Sequence, residues 1–162
     1  MSVLPLVIYP DPRLAQPCVP VGGEDLRALI ADMFDTMYAA PGRGLAGPQV
    51  GVMKRVFVMD CTWKEGTRTP MAFLDPEITA SGEMHEHMDE GCLSIPGLLV
   101  SVERPAQITV RWSDEHGHVH ESSFDGFEAR CIQHEMDHLE GRVTLDHLPE
   151  QARAEILEGY AP

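Results

Sequence analysis

A chain of 162 residues, 43% hydrophobic and 23% charged, has the composition of an ordinary globular protein and length enough for one core, so residues 1–162 read as a single catalytic-size domain. Its formal charge of −14 repels phosphate backbones and anionic headgroups, which argues against a nucleic-acid or membrane-surface role. No basic start with an apolar run opens the chain and no stretch is apolar over a bilayer's width; Cys18, Cys61, Cys92 and Cys131 therefore read as reduced thiols of a cytoplasmic protein rather than disulfides.

In chain order, residues 1–20 carry Pro5, Pro10, Pro12, Pro17 and Pro20 and predict an extended arm laid over the domain. Leu26, Leu29, Ile30, Met33 and Met37 recur at helical spacing and predict a helix over 24–39, opened by acidic residues and closed by Pro41-Gly42. Short strands are expected at 55–60, 71–74, 77–80, 83–87, 98–103, 107–112 and 119–124, with Asp114-Glu115-His116-Gly117 as a turn. A helix follows through His134 and His138, closed by Gly141, and a last short one runs from Pro149 to about Glu158. Helix, short strands, then helix predicts an α+β fold with mainly antiparallel sheets around the histidine-bearing helix.

Three stretches carry the chemistry. In Gln133-His134-Glu135-Met136-Asp137-His138 the histidines stand one helical turn apart, so both imidazoles can reach one metal ion, with Glu135 beside it as a proton carrier. The competing reading is a buried amphipathic helix whose histidines are hydrogen-bonded core residues. Gly42-Arg43-Gly44-Leu45-Ala46-Gly47-Pro48-Gln49-Val50-Gly51 lacks the Gly-Lys-Ser/Thr of a phosphate loop and any flanking strand and helix of a dinucleotide fold. It predicts a loop whose backbone approaches something closely, with the Gln49 amide as a donor to an oxygen. Glu90-Gly91-Cys92-Leu93-Ser94-Ile95-Pro96-Gly97 is either a bend around a buried thiol or the source of a thiolate ligand. One thiolate plus two imidazoles would leave a fourth tetrahedral position open, the pattern of a catalytic site.

Taken together, Gly42 to Gln49, Glu90 to Ser94 and Gln133 to His138 resemble the three signature motifs of peptide deformylases, in the same order and at similar separations, over essentially the whole chain. That resemblance implies an α+β hydrolase that takes the formyl group from N-formylmethionine on nascent polypeptides. It implies Cys92, His134 and His138 as metal ligands and Glu135 as general acid/base, with Gln49 and the Leu93 N–H holding the formyl oxygen. Gly44 and Leu45 would meet the substrate backbone, and Arg43, Glu90, Arg130 and Cys131 the rest of the substrate site. The family usually works with Fe²⁺; Zn²⁺, Ni²⁺ or Co²⁺ also fit one Cys and two His. A divalent ion lowers the pKa of water from about 16 towards about 7, and hydroxide so formed attacks the formyl carbon.

The chain departs from the pattern at Arg43, where an aliphatic residue usually lines the methionine pocket. Either the cation reaches solvent and only its backbone matters, or it narrows and charges the pocket. Gly47-Pro48 also replaces a more usual Ala and variable residue ahead of Gln49. Some relatives dock on the ribosome through a long basic tail; here Glu150, Glu155 and Glu158 oppose Arg153, so that route is not expected. His85, His87, His116, His118, His120 and His147 are expected on the surface, and Trp63 and Trp112 in packing. Two rival readings stand. A metzincin-type protease needs a histidine where Thr144 stands and leaves Cys92 and Gln49 unexplained. A deformylase-like paralogue would keep the fold with shifted specificity or peptide binding alone.

Overall fold

The computed structural model describes residues 2–162. Strands β1 (Gly44–Ala46), β2 (Val56–Met59), β3 (Met71–Ser81), β6 (Gln107–Ser113) and β7 (Val119–Asp125) form one antiparallel sheet in the order β1-β2-β3-β6-β7. A separate antiparallel ribbon pairs β4 (His85–Cys92) with β5 (Ile95–Pro105). Helices α1 (Arg27–Ala39) and α2 (Gly126–Leu139) cover opposite faces of the sheet, and α3 (Glu150–Leu157) follows near the C-terminus.

Alternation along β2 explains the layering. Val56 and Val58 face α1, packing with Ile30, Met33 and Met37, while Phe57 and Met59 face α2, packing with Ile132, Met136 and Leu139. Because both faces are covered, all four residues of β2 are buried, and the strand reads as a continuous apolar run. The helix α2 is thereby pressed between the sheet and the β4–β5 ribbon, with its histidines turned towards the ribbon. Gly141 ends it with φ 75°, and a Cβ there would lie 2.8 Å from the backbone of Ala15 and Gln16, so only glycine serves.

Several expected boundaries move. The first helix begins at Arg27 rather than residue 24, because the Asp25 carboxylate accepts the Arg27 N–H (2.9–3.1 Å contacts with its N–H and guanidinium), which places the acidic residues before the first turn. The strands expected at 71–74 and 77–80 are one strand, β3, with a register shift at Leu74/Glu77. There Asp75 takes φ 48° and its carboxylate accepts the N–H groups of Val21 (2.7 Å) and Gly22 (3.2 Å). The ribbon strands are longer than expected: 83–87 becomes His85–Cys92 and 98–103 becomes Ile95–Pro105. The glycine-rich stretch is not a plain loop. It holds β1, paired with β2, then a 3-10 turn at Gly47–Val50. Its glycine content masked a strand whose pairing partner lies elsewhere in the sequence.

The arm, described from Ser2, lies over the domain as expected but is not extended throughout, since Pro12–Ala15 form a 3-10 turn. Its backbone donates from Val7 to Gln49 O (2.7 Å) and from Tyr9 to Ser94 O (2.8 Å), tying together the two motifs that carry Gln49 and Cys92.

Candidate active site

Three donor atoms converge between α2 and the ribbon. Cys92 ends β4, and its Sγ lies 3.5 Å from His138 Nε2. The ligand atoms of Cys92, His134 and His138 all lie within 4.8 Å of one another, and among the described residues no other such group of histidine, cysteine or acid side chains occurs. His134 gives its Nδ1 to Glu90 Oε1 (2.9 Å), so Nε2 is its free ring nitrogen on the site side.

Glu90 is the anchor of this arrangement. Its two oxygens take Nε and Nη2 of Arg104 (2.7 and 2.9 Å), Nη1 of Arg130 (2.7 Å) and His134 Nδ1. Burial alone would raise its carboxyl, but the hydrogen bonds from Arg104 and His134 hold it far below the usual range. Glu90 lines the cavity, but its oxygens are taken by these donors, and it orients a histidine. Arg130 is likewise a brace, with further bonds to Val102 O (2.9 Å) and Glu86 O (2.7 Å). Arg104 continues outward to Asp137 (3.0 Å), which also meets His147 Nε2 (2.7 Å). His147, expected on the surface, is only 19% exposed and closes this chain of polar contacts. Arg104 gave no signal in sequence; Asp137 lies inside the histidine motif, and its helical position beside His134 and His138 was the available clue.

Burial pushes the Cys92 thiol up, yet the facing imidazoles of His138 and His134 outweigh it and bring it down to about 5, so the sulfur is a thiolate at neutral pH. Glu135 is buried beside this group, and burial raises its carboxyl above the usual value against the pull of both histidines. Its Oε1 has no hydrogen-bond partner. Its Oε2 lies against Gly44, where an added Cβ would sit 2.5 Å from that oxygen and 3.0 Å from Cys131 Sγ. A thiolate, two imidazoles and an orphaned buried carboxylate oxygen fit a divalent transition ion with one position left open.

Gln49 is buried, with Oε1 accepting from Ala46 N (2.9 Å) and Nε2 donating to Ser94 Oγ (3.1 Å) and lying 3.6 Å from Cys92 Sγ. Its donor end therefore faces the thiolate. Leu93 follows Cys92 in the turn and packs against Gly42. These groups open on a cavity of about 780 Å³ whose walls include Gly44, Leu93, Cys131 and Phe127. Leu45 is fully buried with its side chain on the α1 side of the sheet, so only its backbone is left to meet substrate. Arg43 lines the cavity and is not free in solvent. Its guanidinium donates to Cys61 O (2.6 Å), pairs with Glu65 (3.0 Å) and lies 5.3 Å from the Phe127 ring centre.

Against known families, residues 3–154 match the polypeptide deformylase model. The chain is 45% identical over 164 residues to a peptide deformylase of Zymomonas mobilis, covering 98% of this chain and 93% of that protein. It is 47% identical to one from Rhizorhabdus wittichii over 165 residues, with the same coverage of 98% and 93%. The fold superposes on the Ehrlichia chaffeensis peptide deformylase solved with actinonin at TM-score 0.90 and 39% identity, over 98% of this chain and 95% of that one. A Synechococcus elongatus peptide deformylase, also with actinonin, gives TM-score 0.91 and 39% identity over 99% and 90%.

Proposed function

The chain belongs to the polypeptide deformylase family, and from that premise we propose that it hydrolyses the formyl group from N-formylmethionyl peptides, releasing formate. The observation that carries this reading is the convergence of Cys92 Sγ and the histidine nitrogens beside the unpartnered Glu135 Oε1. We assign Cys92, His134 and His138 to a divalent ion, Fe²⁺ by preference, with Zn²⁺, Ni²⁺ or Co²⁺ as substitutes. When bound, the ion acidifies water and polarises the formyl oxygen.

Glu135 takes the water's proton and returns it to the departing amine; a carboxyl raised by burial suits both transfers. Gln49 Nε2 and the Leu93 N–H face the growing charge on the formyl oxygen. Losing one such donor typically costs about 10²–10³ in rate. Gly44, having no Cβ, leaves room for Glu135 Oε2 and Cys131 Sγ to lie against its backbone. The nascent peptide's first side chain enters the cavity between Cys131, Phe127 and Arg43.

The deciding experiment is formate release from a formyl-Met tripeptide by protein produced anaerobically with Fe²⁺. Absence of formate with the ion bound would leave the peptide-binding paralogue reading. The protease reading is disfavoured because Thr144 is buried where a third histidine would be needed. A Cys92→Ala variant separates the two, since a protease would keep its ion.

Arg43 supports a shift in specificity, because its ion pair with Glu65 stiffens one pocket wall. An Arg43→Ile variant should change the ratio of kcat/KM for formyl-Met against formyl-Leu peptides; an unchanged ratio removes the idea. No helix among the described residues is long and apolar enough to cross a membrane, and we place the protein in the cytoplasm, acting on formylated nascent chains. Tail docking to the ribosome is not part of this reading, because Arg153, facing three acids in the tail, is tied to Asp146 (2.9 Å) and Tyr9 (3.1 Å).

A further inference from the structure

The turn between β6 and β7 gathers Asp114, His116, His118 and His120 within seven residues of sequence, outside everything the deformylation site uses. Asp114 is its fixed point. Oδ1 accepts the backbone N–H groups of His116 (2.9 Å) and His118 (3.0 Å), which orients the carboxylate. Oδ2 is then aimed at two imidazoles, 2.7 Å from His120 Nε2 and 3.6 Å from His118 Nδ1. His120 has a firm base, since its ring stacks 5.3 Å above Trp112, which is 7% exposed and packs on Phe73. The His118 side chain is 75% exposed, so its ring turns without displacing its neighbours, while the His120 ring stays on Trp112.

We propose that this turn is a second divalent-metal site, with Asp114, His118 and His120 as ligands and a borderline transition ion of the Zn²⁺ or Ni²⁺ kind as occupant. Ligand atoms about 2.1 Å from a tetrahedral ion stand roughly 3.4 Å apart, near the 3.6 Å His118 contact, although the three donors do not yet all lie within 4.8 Å of one another. The hydrogen between His120 Nε2 and the carboxylate gives way to the ion, and the His118 ring swings in to complete three donors. Water fills the remaining positions, and His116 stands next to His118, with ring centres 6.4 Å apart, as a spare donor. The pair His85 and His87, which flanks Glu103 at 3.9 and 3.8 Å, is the natural control, because that carboxylate is 55% exposed.

The test begins with Ni²⁺-loaded enzyme, freed of excess metal and titrated with Ni²⁺. Equilibrium dialysis should show one further equivalent per chain at micromolar free Ni²⁺. In a Trp63→Phe background Trp112 is the only tryptophan of the original two, and the same titration should quench its fluorescence at the same midpoint. His118→Ala with His120→Ala should abolish both signals and leave formate release unchanged. His85→Ala with His87→Ala should alter neither. No second equivalent, a second equivalent that survives loss of His118 and His120, or one lost with His85 and His87 instead would overturn the site. If the Trp63→Phe chain fails to fold, dialysis on the natural chain decides alone.

Discussion

Glu90 shows how one side chain can govern a site by orienting a neighbour. It is 7% exposed and surrounded by two guanidiniums and an imidazole, so removing it leaves buried charges unpaired. Glu90→Ala should lower stability by about 3–5 kcal/mol. It should also release His134, seen as a lower metal content per chain alongside a lower melting temperature. Glu135 should behave in the opposite way. Glu135→Gln keeps the shape of a residue that is not among the metal-binding trio, so metal content should stay at wild-type level while formate release falls by about 10²–10⁴. Gly44→Ala places a methyl group on Glu135 Oε2 and Cys131 Sγ. Its kcat/KM should fall without loss of metal, read from turnover and metal analysis of the same preparation.

The elements of the fold meet at the arm and at the break in β3. The arm holds Gln49 and Ser94 by backbone bonds, and it is itself held by α3 and the tail: Arg153 reaches Tyr9 Oη (3.1 Å) and Tyr160 Oη reaches Tyr9 O (2.8 Å). Helix, arm and oxyanion-side residues thus form one mechanical chain. At the β3 break, Asp75 combines a left-handed backbone with two hydrogen bonds that fasten Val21 and Gly22 ahead of α1. Asp75→Ala should cost about 1–3 kcal/mol in denaturant unfolding, since both N–H groups lose their acceptor. Asp75→Asn, which keeps an acceptor and tolerates that backbone, should recover much of it.

At the scale of the whole molecule, the polar interior sets the response to acid. Burial works to raise the carboxyls of Glu90, Asp137 and Asp60. It is outweighed by Arg104 and His134 at Glu90, by His147 and Arg104 at Asp137, and by Tyr38 with backbone N–H groups at Asp60, so all three are lowered. Near their ordinary pKa, about 4, the unfolded chain therefore binds more protons than the folded one, and stability rises with pH. The melting temperature of metal-free protein should fall as pH drops below about 4 towards the depressed folded values of these carboxyls, with a shallower fall in Glu90→Gln. Sequence by itself determined the α+β class, the α2 histidine pair and the recognition of all three motifs, because helical period, strand alternation and motif spacing are local and survive without coordinates. Only the tertiary structure decided that Glu90 holds His134, that the Leu45 side chain faces α1, that Arg43 is bound to Glu65 and Cys61, and that Arg104, Asp137 and His147 back the site. Those outcomes depend on which distant residues share a buried space. A guanidinium from β5 and a carboxylate from β4 carry no mark of each other until the ribbon closes over α2 and desolvation compels them to pair.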